Sequence, residues 1–172
     1  MPRKILTFLL ISLSVVSFDL MTKSLSETYL AHKTIEVIPG LFNLVLVWNK
    51  GAAFGILAEA PETVRKLMLV GSSVIAAVIT SVYTFREYNK LSKIEILSLA
   101  LICGGSIGNL YDRLFLGQVR DFLDFYIKDY HWPAFNIADA SITIGIALFL
   151  WYELFKKNKK VKNTSGEKLK EG

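Results

Sequence analysis

The chain has 172 residues, a hydrophobic fraction of 52% and a formal net charge of +5, with a mean hydropathy of +0.41. This composition excludes an ordinary soluble domain, because the charges gather in short blocks between long uncharged stretches. It gives no support for a nucleic-acid partner, since seven lysines lie after Phe155 rather than on one folded face. We predict a membrane-embedded domain over 1–155 and a basic, disordered cytoplasmic tail over 156–172, near anionic lipid.

Four mostly apolar runs are candidates to cross a hydrocarbon core of about 30 Å as helices, and two of them contain a single aspartate. The predicted spans are Ile5 to about Met21, Leu67–Phe85, Ile96–Tyr111 and Ile137–Tyr152. The third span is short unless its helix starts near Ile94 and continues through Asp112 and Arg113 into the interface. The first also resembles a secretory signal peptide, but no small-residue cleavage site follows it, so we expect it to remain as a helix.

The basic residues of the short loops predict the orientation. Arg3 and Lys4, the basic residues of 86–93 and the lysine tail fall on one side, which we expect to be cytoplasmic and to hold both termini. The connections over 24–66 and 114–133 would then face outward. The predicted fold is a membrane all-α protein with four transmembrane helices, a small extracytoplasmic β-element and an interfacial segment between helices 3 and 4.

The two outward connections differ in pattern. The first holds β-branched and aromatic runs on either side of a Pro39-Gly40 turn, over Ile35–Ile38 and Leu41–Trp48, which predicts the β-element. The second holds Tyr126, Tyr130 and Trp132, which are typical of a segment on the membrane surface.

Five of the six aspartates lie close to the predicted spans, at their outward ends or in the adjoining loop. A charged side chain at the centre of a spanning helix costs about 2.5 to 3.5 kcal/mol on insertion, so each acid near the membrane calls for a partner or a function. They are Asp19, Asp112, Asp121, Asp124 and Asp139.

Helical spacing suggests partners for two of these acids. Asp19 shares a helix face with Thr22 and Lys23, which favours a structural ion pair. Asn109, Asp112 and Arg113 have the same spacing, and there Arg113 has several open roles: pairing with a carboxylate, snorkelling, or holding a peptide carbonyl or a lipid head group.

Asp121 and Asp139 suit hydrolysis of a peptide bond. The spacing Asn136-x-x-Asp139 resembles a helix-capping pair, which alone would explain Asp139. Asp121 lies in the short connection that leads to the same helix, so the two carboxylates are expected to share one pocket. One carboxylate can then hold a proton while the other takes one from water. This chemistry requires no metal and no cofactor.

Other catalytic patterns are weak. Gly104-Gly105-Ser106-Ile107-Gly108 matches a nucleophile elbow but lies within a predicted span, where small residues favour helix contact instead. The two histidines lie in outer loops, and His131 is expected to be interfacial. No zinc or nucleotide motif is present.

The chain resembles the bacterial lipoprotein signal peptidases, or signal peptidase II. The resemblance covers most of the chain and is carried by five blocks in order: Asp19-x-x-Thr22-Lys23, Asn49-x-Gly51-Ala52-Ala53-Phe54-Gly55, Gly104-Gly105-x-x-Gly108-Asn109-x-x-Asp112-Arg113, Val119-x-Asp121-Phe122-x-Asp124 and Phe135-Asn136-x-Ala138-Asp139. Arg120 departs from the pattern, where an apolar residue is expected, and so does the order Ala140-Ser141. A charge at position 120 is expected to shift the pKa of Asp121.

The resemblance implies a membrane aspartic endopeptidase that cuts signal peptides from diacylglyceryl-modified prolipoproteins, just before the lipidated cysteine. The implied catalytic pair is Asp121 and Asp139. Supporting or substrate-binding roles are implied for Asn49, Asn109, Arg113, Asn136, Asp19 and Asp112. It also implies the bacterial cytoplasmic membrane, an outward site, contact with membrane lipid, and inhibition by globomycin-type cyclic peptides. The alternative is a proton-coupled transporter, but its acids should lie near the midplane between repeats.

Overall fold

A computed structural model describes residues 1–51 and 61–168, with side chains up to residue 156. Within those ranges the elements in chain order are α1 (Arg3–Leu30), β1 (Ile35–Ile38), β2 (Phe42–Asn49), α2 (Glu62–Glu87), α3 (Lys93–Phe115), β3 (Val119–Ile127), β4 (Tyr130–His131) and α4 (Ile137–Lys168). All four helices are long and apolar enough to cross a membrane. The predicted fold of four spanning helices with a small β-element is therefore confirmed.

The helices extend beyond the predicted apolar runs. α1 continues to Leu30, so that Glu27 is helical although the first connection was predicted to begin at Ser24. α3 begins at Lys93 because Ser92 and Glu95 form a capping box. A hydropathy pattern identifies only the apolar part of a helix, so it does not predict the polar turns at the helix ends. α4 continues to Lys168 and enters the segment predicted as a disordered tail, whose boundary at residue 155 stays a prediction.

α3 is the central helix of the bundle. Its apolar window is 61% buried, whereas the windows of the other three helices are between 17% and 22% buried. Small residues allow this close packing: a β-carbon at Gly104 would lie 2.7 Å from the Ser12 backbone oxygen of α1, and one at Gly105 would lie 2.5 Å from the Ala138 backbone oxygen of α4. The expected small-residue helix contact is confirmed.

The sheet is larger than the sequence predicts. Its four strands lie in the order β1-β2-β3-β4, and the pairs are antiparallel. β3 and β4 come from the connection between α3 and α4 that was predicted as an interfacial segment. Gly40 has a φ of 76° in the predicted turn between β1 and β2, a backbone conformation that glycine adopts readily.

A β-bulge in β2 lies next to Asp121. Leu44 pairs with Leu123 and Val47 pairs with Asp121, so β2 has one residue more than β3 in that stretch. The extra residue puts Asn43 and Asn49 on opposite faces of the sheet, although they are six positions apart. Each can therefore reach a different aspartate of β3.

Candidate active site

A cavity of about 430 Å³ opens where α3, α4, β2 and β3 meet. Its lining residues include Asn49, Arg113, Asp121 and Asp139, contributed by all four of these elements. The short connection thus brings the two predicted carboxylates to one cavity. Part of the wall is apolar and is formed by Ile142 and Ile144 of α4.

Asp121 is a buried residue of β3, with 1% of its surface exposed. Its Oδ1 accepts a hydrogen bond of 2.7 Å from the Asn136 side-chain amide, and its Oδ2 accepts one of 2.9 Å from that of Asn49. Burial, followed by the negative charge of Asp139, raises the pKa of Asp121 to about 7, although the two amide donors and Lys23 act in the opposite direction. At neutral pH this carboxyl is therefore poised to hold or release a proton.

Asp139 lies in the first turn of α4 and is half-buried. Its backbone N–H donates to Asn136 Oδ1 at 2.9 Å, and its Oδ2 accepts from the Asn136 backbone N–H at 3.3 Å, which is the predicted capping pair. Its Oδ1 accepts a hydrogen bond of 2.7 Å from the Asn109 side-chain amide. Capping therefore uses one oxygen of Asp139, while the other is held by α3.

A cationic residue that was predicted only as a structural partner reaches this site. Lys23 is fully buried and pairs with Asp19 at 2.7 Å, as predicted, and lies 3.6 Å from Asp112. Its Nζ also donates to Asn109 Oδ1 at 2.9 Å. That contact fixes the Asn109 amide so that its nitrogen points at Asp139. The link was missed because it joins residues 86 positions apart.

Asp19 and Asp112 are fully buried. Asp19 Oδ1 accepts from the Ala138 backbone N–H at 2.8 Å, which holds the start of α4 against α1. Thr22, which was expected to join this set, instead donates to the backbone oxygens of Phe18 and Asp19. Both acids thus join helices beside the cavity rather than lining it.

For Arg113 and for the sequence block that begins at Asn49, the structure shows only part of the contacts. Arg113 lines the cavity and donates to Ser73 Oγ at 2.6 Å, while its Nε is buried without a hydrogen-bond partner among the described residues. Asn49 Oδ1 accepts from the Gly51 N–H at 2.9 Å. The motif continues over residues 52–55, which lie outside the described residues.

Two other features of β3 face away from the cavity. Arg120 pairs with Asp112 at 2.7 Å and with Glu27 at 2.9 Å. Burial and Asp139 have the largest effects on the pKa of Asp121, and the expected influence of Arg120 is not among the main causes. Asp124 accepts from Asn43 at 3.1 Å and contacts His131 Nδ1 at 2.9 Å.

This arrangement allows proton transfer in a partly closed site. Two carboxylates line one cavity, Asn136 contacts both of them, and the carboxyl with the raised pKa is buried. Fold and site together define a class: a multi-pass membrane protein with a paired-carboxylate site at one end of its helix bundle.

Comparison with known proteins narrows this class to one family. A family model described as signal peptidase (SPase) II matches residues 11–155. A lipoprotein signal peptidase from Sulfurihydrogenibium sp. (strain YO3AOP1) is 74% identical over 163 residues, which cover 95% of this chain and 100% of that protein. One from Aquifex aeolicus (strain VF5) is 48% identical over 151 residues, 87% of each chain.

The fold is also similar to that of a solved protein. A bacterial membrane enzyme determined by the in meso method has a TM-score of 0.77 and 33% sequence identity, and the match covers 90% of this chain and 91% of that one. The present chain belongs to the signal peptidase II family, and it is therefore a membrane-embedded protease. The resemblance stated from the five sequence blocks is confirmed.

Proposed function

We propose that this protein is an aspartic endopeptidase that cleaves signal peptides from diacylglyceryl-modified prolipoproteins, just before the lipidated cysteine, with Asp121 and Asp139 as its catalytic pair. One observation carries the proposal. Asn136 donates its side-chain amide to Asp121 and its backbone N–H to Asp139, so that a single residue holds both carboxylates at the wall of one cavity.

The two carboxyls have different jobs in this proposal. Asp121, with a pKa raised to about 7 by burial and by Asp139, holds the proton and polarises the scissile carbonyl. Asp139 takes a proton from water as the water oxygen attacks the carbonyl carbon. As the tetrahedral intermediate forms, Asp121 transfers its proton to the carbonyl oxygen. When the C–N bond breaks, the amine leaves with the proton from Asp139, and Asp121 regains a proton from a hydroxyl of the new carboxyl group.

Neighbouring side chains support the pair. Asn109, Asn136 and Asn49 hold the carboxylates through their side-chain amides. Arg113, which lines the cavity, binds a peptide carbonyl through its guanidinium. Asp19 and Asp112 hold the helices that carry these groups.

The cavity wall suits a lipid-modified substrate. Ile144 of α4 lines the cavity and is 53% exposed on the outside of the bundle, so the polar site borders a surface that faces lipid. A diacylglyceryl chain can remain in the bilayer while the adjacent peptide bond reaches the carboxylates. The same border would accept a globomycin-type peptide.

Membership in the signal peptidase II family supports a location in the bacterial cytoplasmic membrane, and the distribution of basic residues supports an orientation with both termini in the cytoplasm. The cavity would then open on the extracytoplasmic side, where a translocated prolipoprotein presents its cleavage site.

The test is cleavage of a diacylglyceryl-modified prolipoprotein by purified protein in detergent. Asp121→Asn and Asp139→Asn should each remain folded and lose activity by at least about 10³-fold, because each removes a proton-transfer group of the pair. Asp124→Asn is the matched control, since Asp124 is also a buried aspartate of β3 but contacts Asn43 and His131 away from the cavity.

The controls separate the possible failures. The parent protein should leave the same prolipoprotein uncut when the diacylglyceryl group is absent. Normal cleavage by either asparagine variant would refute the catalytic pair, and equal loss in Asp124→Asn would show that the assay reports folding alone. Proton flux into vesicles by a parent protein that cuts nothing would favour the transporter.

A further inference from the structure

Arg120 is the residue before Asp121 and is 6% exposed. Its Nη2 donates to Asp112 Oδ1 at 2.7 Å, and its Nε donates to Asp112 Oδ2 at 3.2 Å, so the guanidinium holds both carboxylate oxygens. Its Nη1 donates to Glu27 at 2.9 Å. The backbone N–H of Arg120 donates to Asp112 as well, at 3.1 Å.

These contacts join three elements at one point. Asp112 belongs to α3 and Glu27 to the outer end of α1, while Arg120 belongs to β3. We propose that Arg120 is a positioning residue of the peptidase site: its guanidinium locks β3 against α1 and α3 and thereby sets the separation of Asp121 from Asp139. The inference rests on the proposed catalytic pair and adds a residue to it.

The contacts of Arg120 are also connected to Asp139, through residues of α3. Asp112 lies three residues after Asn109 on α3, and Asn109 donates to Asp139 at 2.7 Å. Lys23 contacts both Asn109 and Asp112. Arg120 therefore fixes Asp121 relative to the same part of α3 that holds Asp139.

Arginine is suited to this task. Its planar guanidinium presents several donors in a fixed fork, so one side chain can hold both oxygens of Asp112 and still reach Glu27. A lysine offers a single point charge and could keep only part of this set. An apolar residue would keep only the backbone contact to Asp112.

Loss of the lock should act on the chemical step more than on substrate binding. Arg120 does not line the cavity, so its removal takes no contact from the substrate. A displacement of about 1 Å between reacting groups can lower a rate about 10²-fold. We therefore expect Arg120→Leu to lower kcat by about 10- to 100-fold while KM stays within about threefold.

The experiment measures kcat and KM with a diacylglyceryl-modified prolipoprotein, together with the folded fraction of each variant in detergent. Arg120→Lys should recover part of the lost kcat, because it restores one charged contact. Glu27→Gln removes the partner of one guanidinium nitrogen at a half-exposed position and should lower kcat by about two- to threefold. If Arg120→Leu does not fold, Arg120→Lys and Glu27→Gln still test whether Arg120 positions the catalytic pair.

Glu95→Gln is the matched control for stability. Glu95 is 2% exposed and pairs with Lys156 at 3.0 Å, but it lies at the opposite end of α3 from Asn109. Its variant should keep the parent kcat per folded molecule. The inference is overturned if Arg120→Leu keeps the parent kcat per folded molecule, or if only KM changes. The proposed function fails separately, if the parent protein does not cleave.

Discussion

Two pairs of aspartates lie in one buried network and are held in different ways. Asp19 and Asp112 are cation-paired acids, in contact with Lys23 and, for Asp112, with Arg120. Asp121 and Asp139 are amide-held acids: their hydrogen bonds come from asparagine amides and a backbone N–H, and the described residues give neither of them an ion pair.

The kind of partner decides whether an aspartate suits a structural role or proton transfer. A carboxylate that takes a proton while it faces a cation gives up a buried ion pair, so the cation-paired acids are suited to holding helices together. A carboxylate that faces neutral amides can exchange a proton without leaving a buried cation unpaired. Lys23 joins the two sets, because it contacts both cation-paired acids and also Asn109, which donates to Asp139.

Removal of the shared cation should have the largest effect on stability. Lys23→Leu leaves Asp19 and one side of Asp112 without their buried partner, and we expect a loss of about 3 to 5 kcal/mol in the free energy of unfolding. Thermal unfolding in detergent can be followed with a thiol-reactive dye, since Cys103 is buried and is the sole cysteine of the chain.

The matched comparison for this prediction is Asp121→Asn, which alters an amide-held acid. That variant should unfold close to the parent temperature. The double variant Lys23→Leu with Asp19→Leu should recover part of the stability lost in the single variant, because it removes one of the unpaired charges. An unchanged unfolding temperature for Lys23→Leu would show that the two kinds of acid do not differ in this way.

A second change moves the amide-held acids without altering any charge. In Gly105→Ala the new β-carbon would lie 2.5 Å from the Ala138 backbone oxygen and 2.8 Å from Ile142 Cγ1, which forces the first turn of α4 away from α3. We expect a destabilisation of about 1 to 3 kcal/mol. This movement takes Asp139 away from the Asn109 side-chain amide that donates to it, and kcat should therefore fall about tenfold.

Gly71→Ala in α2 is the control for this substitution, because nothing lies within 4 Å of the added β-carbon. It should keep the parent activity and gain a little stability from the higher helix propensity of alanine. If both alanine variants cleave at the parent rate, the position of α4 against α3 does not set the geometry of the site.

The spanning helices and the aspartate pair could be predicted from the sequence for physical reasons. Lipid requires long apolar runs, and a charge near them is conspicuous because it is costly. Asp121 and Asp139 stood out for this reason, and the short connection between them limited their separation. The capping pair of Asn136 and Asp139 was also readable, because its spacing is local.

β3 could not be predicted in the same way. Its sequence places Asp121 and Asp124 on opposite faces, and both are buried, so the strand lacks the polar–apolar alternation of a half-buried strand. The bulge in β2 and the contacts of Lys23 and Arg120 depend on chain segments far apart in sequence. Only the folded arrangement shows that Lys23 reaches Asn109 and that Arg120 reaches Glu27.

The smallest expected effect concerns the pH dependence of the amide-held acids. Burial and Asp139 raise the pKa of Asp121 to about 7, and the hydrogen bond from Asn49 lowers it. Since Asp121 must be protonated to polarise the carbonyl, kcat/KM should fall as pH rises above about 7. Asn49→Ala removes a donor that favours the ionised form, so the pKa rises and the alkaline limb should move to higher pH.

Asn43→Ala provides the matched control for Asn49→Ala. Asn43 lies on the same strand but donates to Asp124 on the opposite face of the sheet, so its removal should leave the alkaline limb in place. The bulge in β2 is what separates the two asparagines. A limb that moves to lower pH in Asn49→Ala, or that moves equally in both variants, would contradict the assignment of the proton to Asp121.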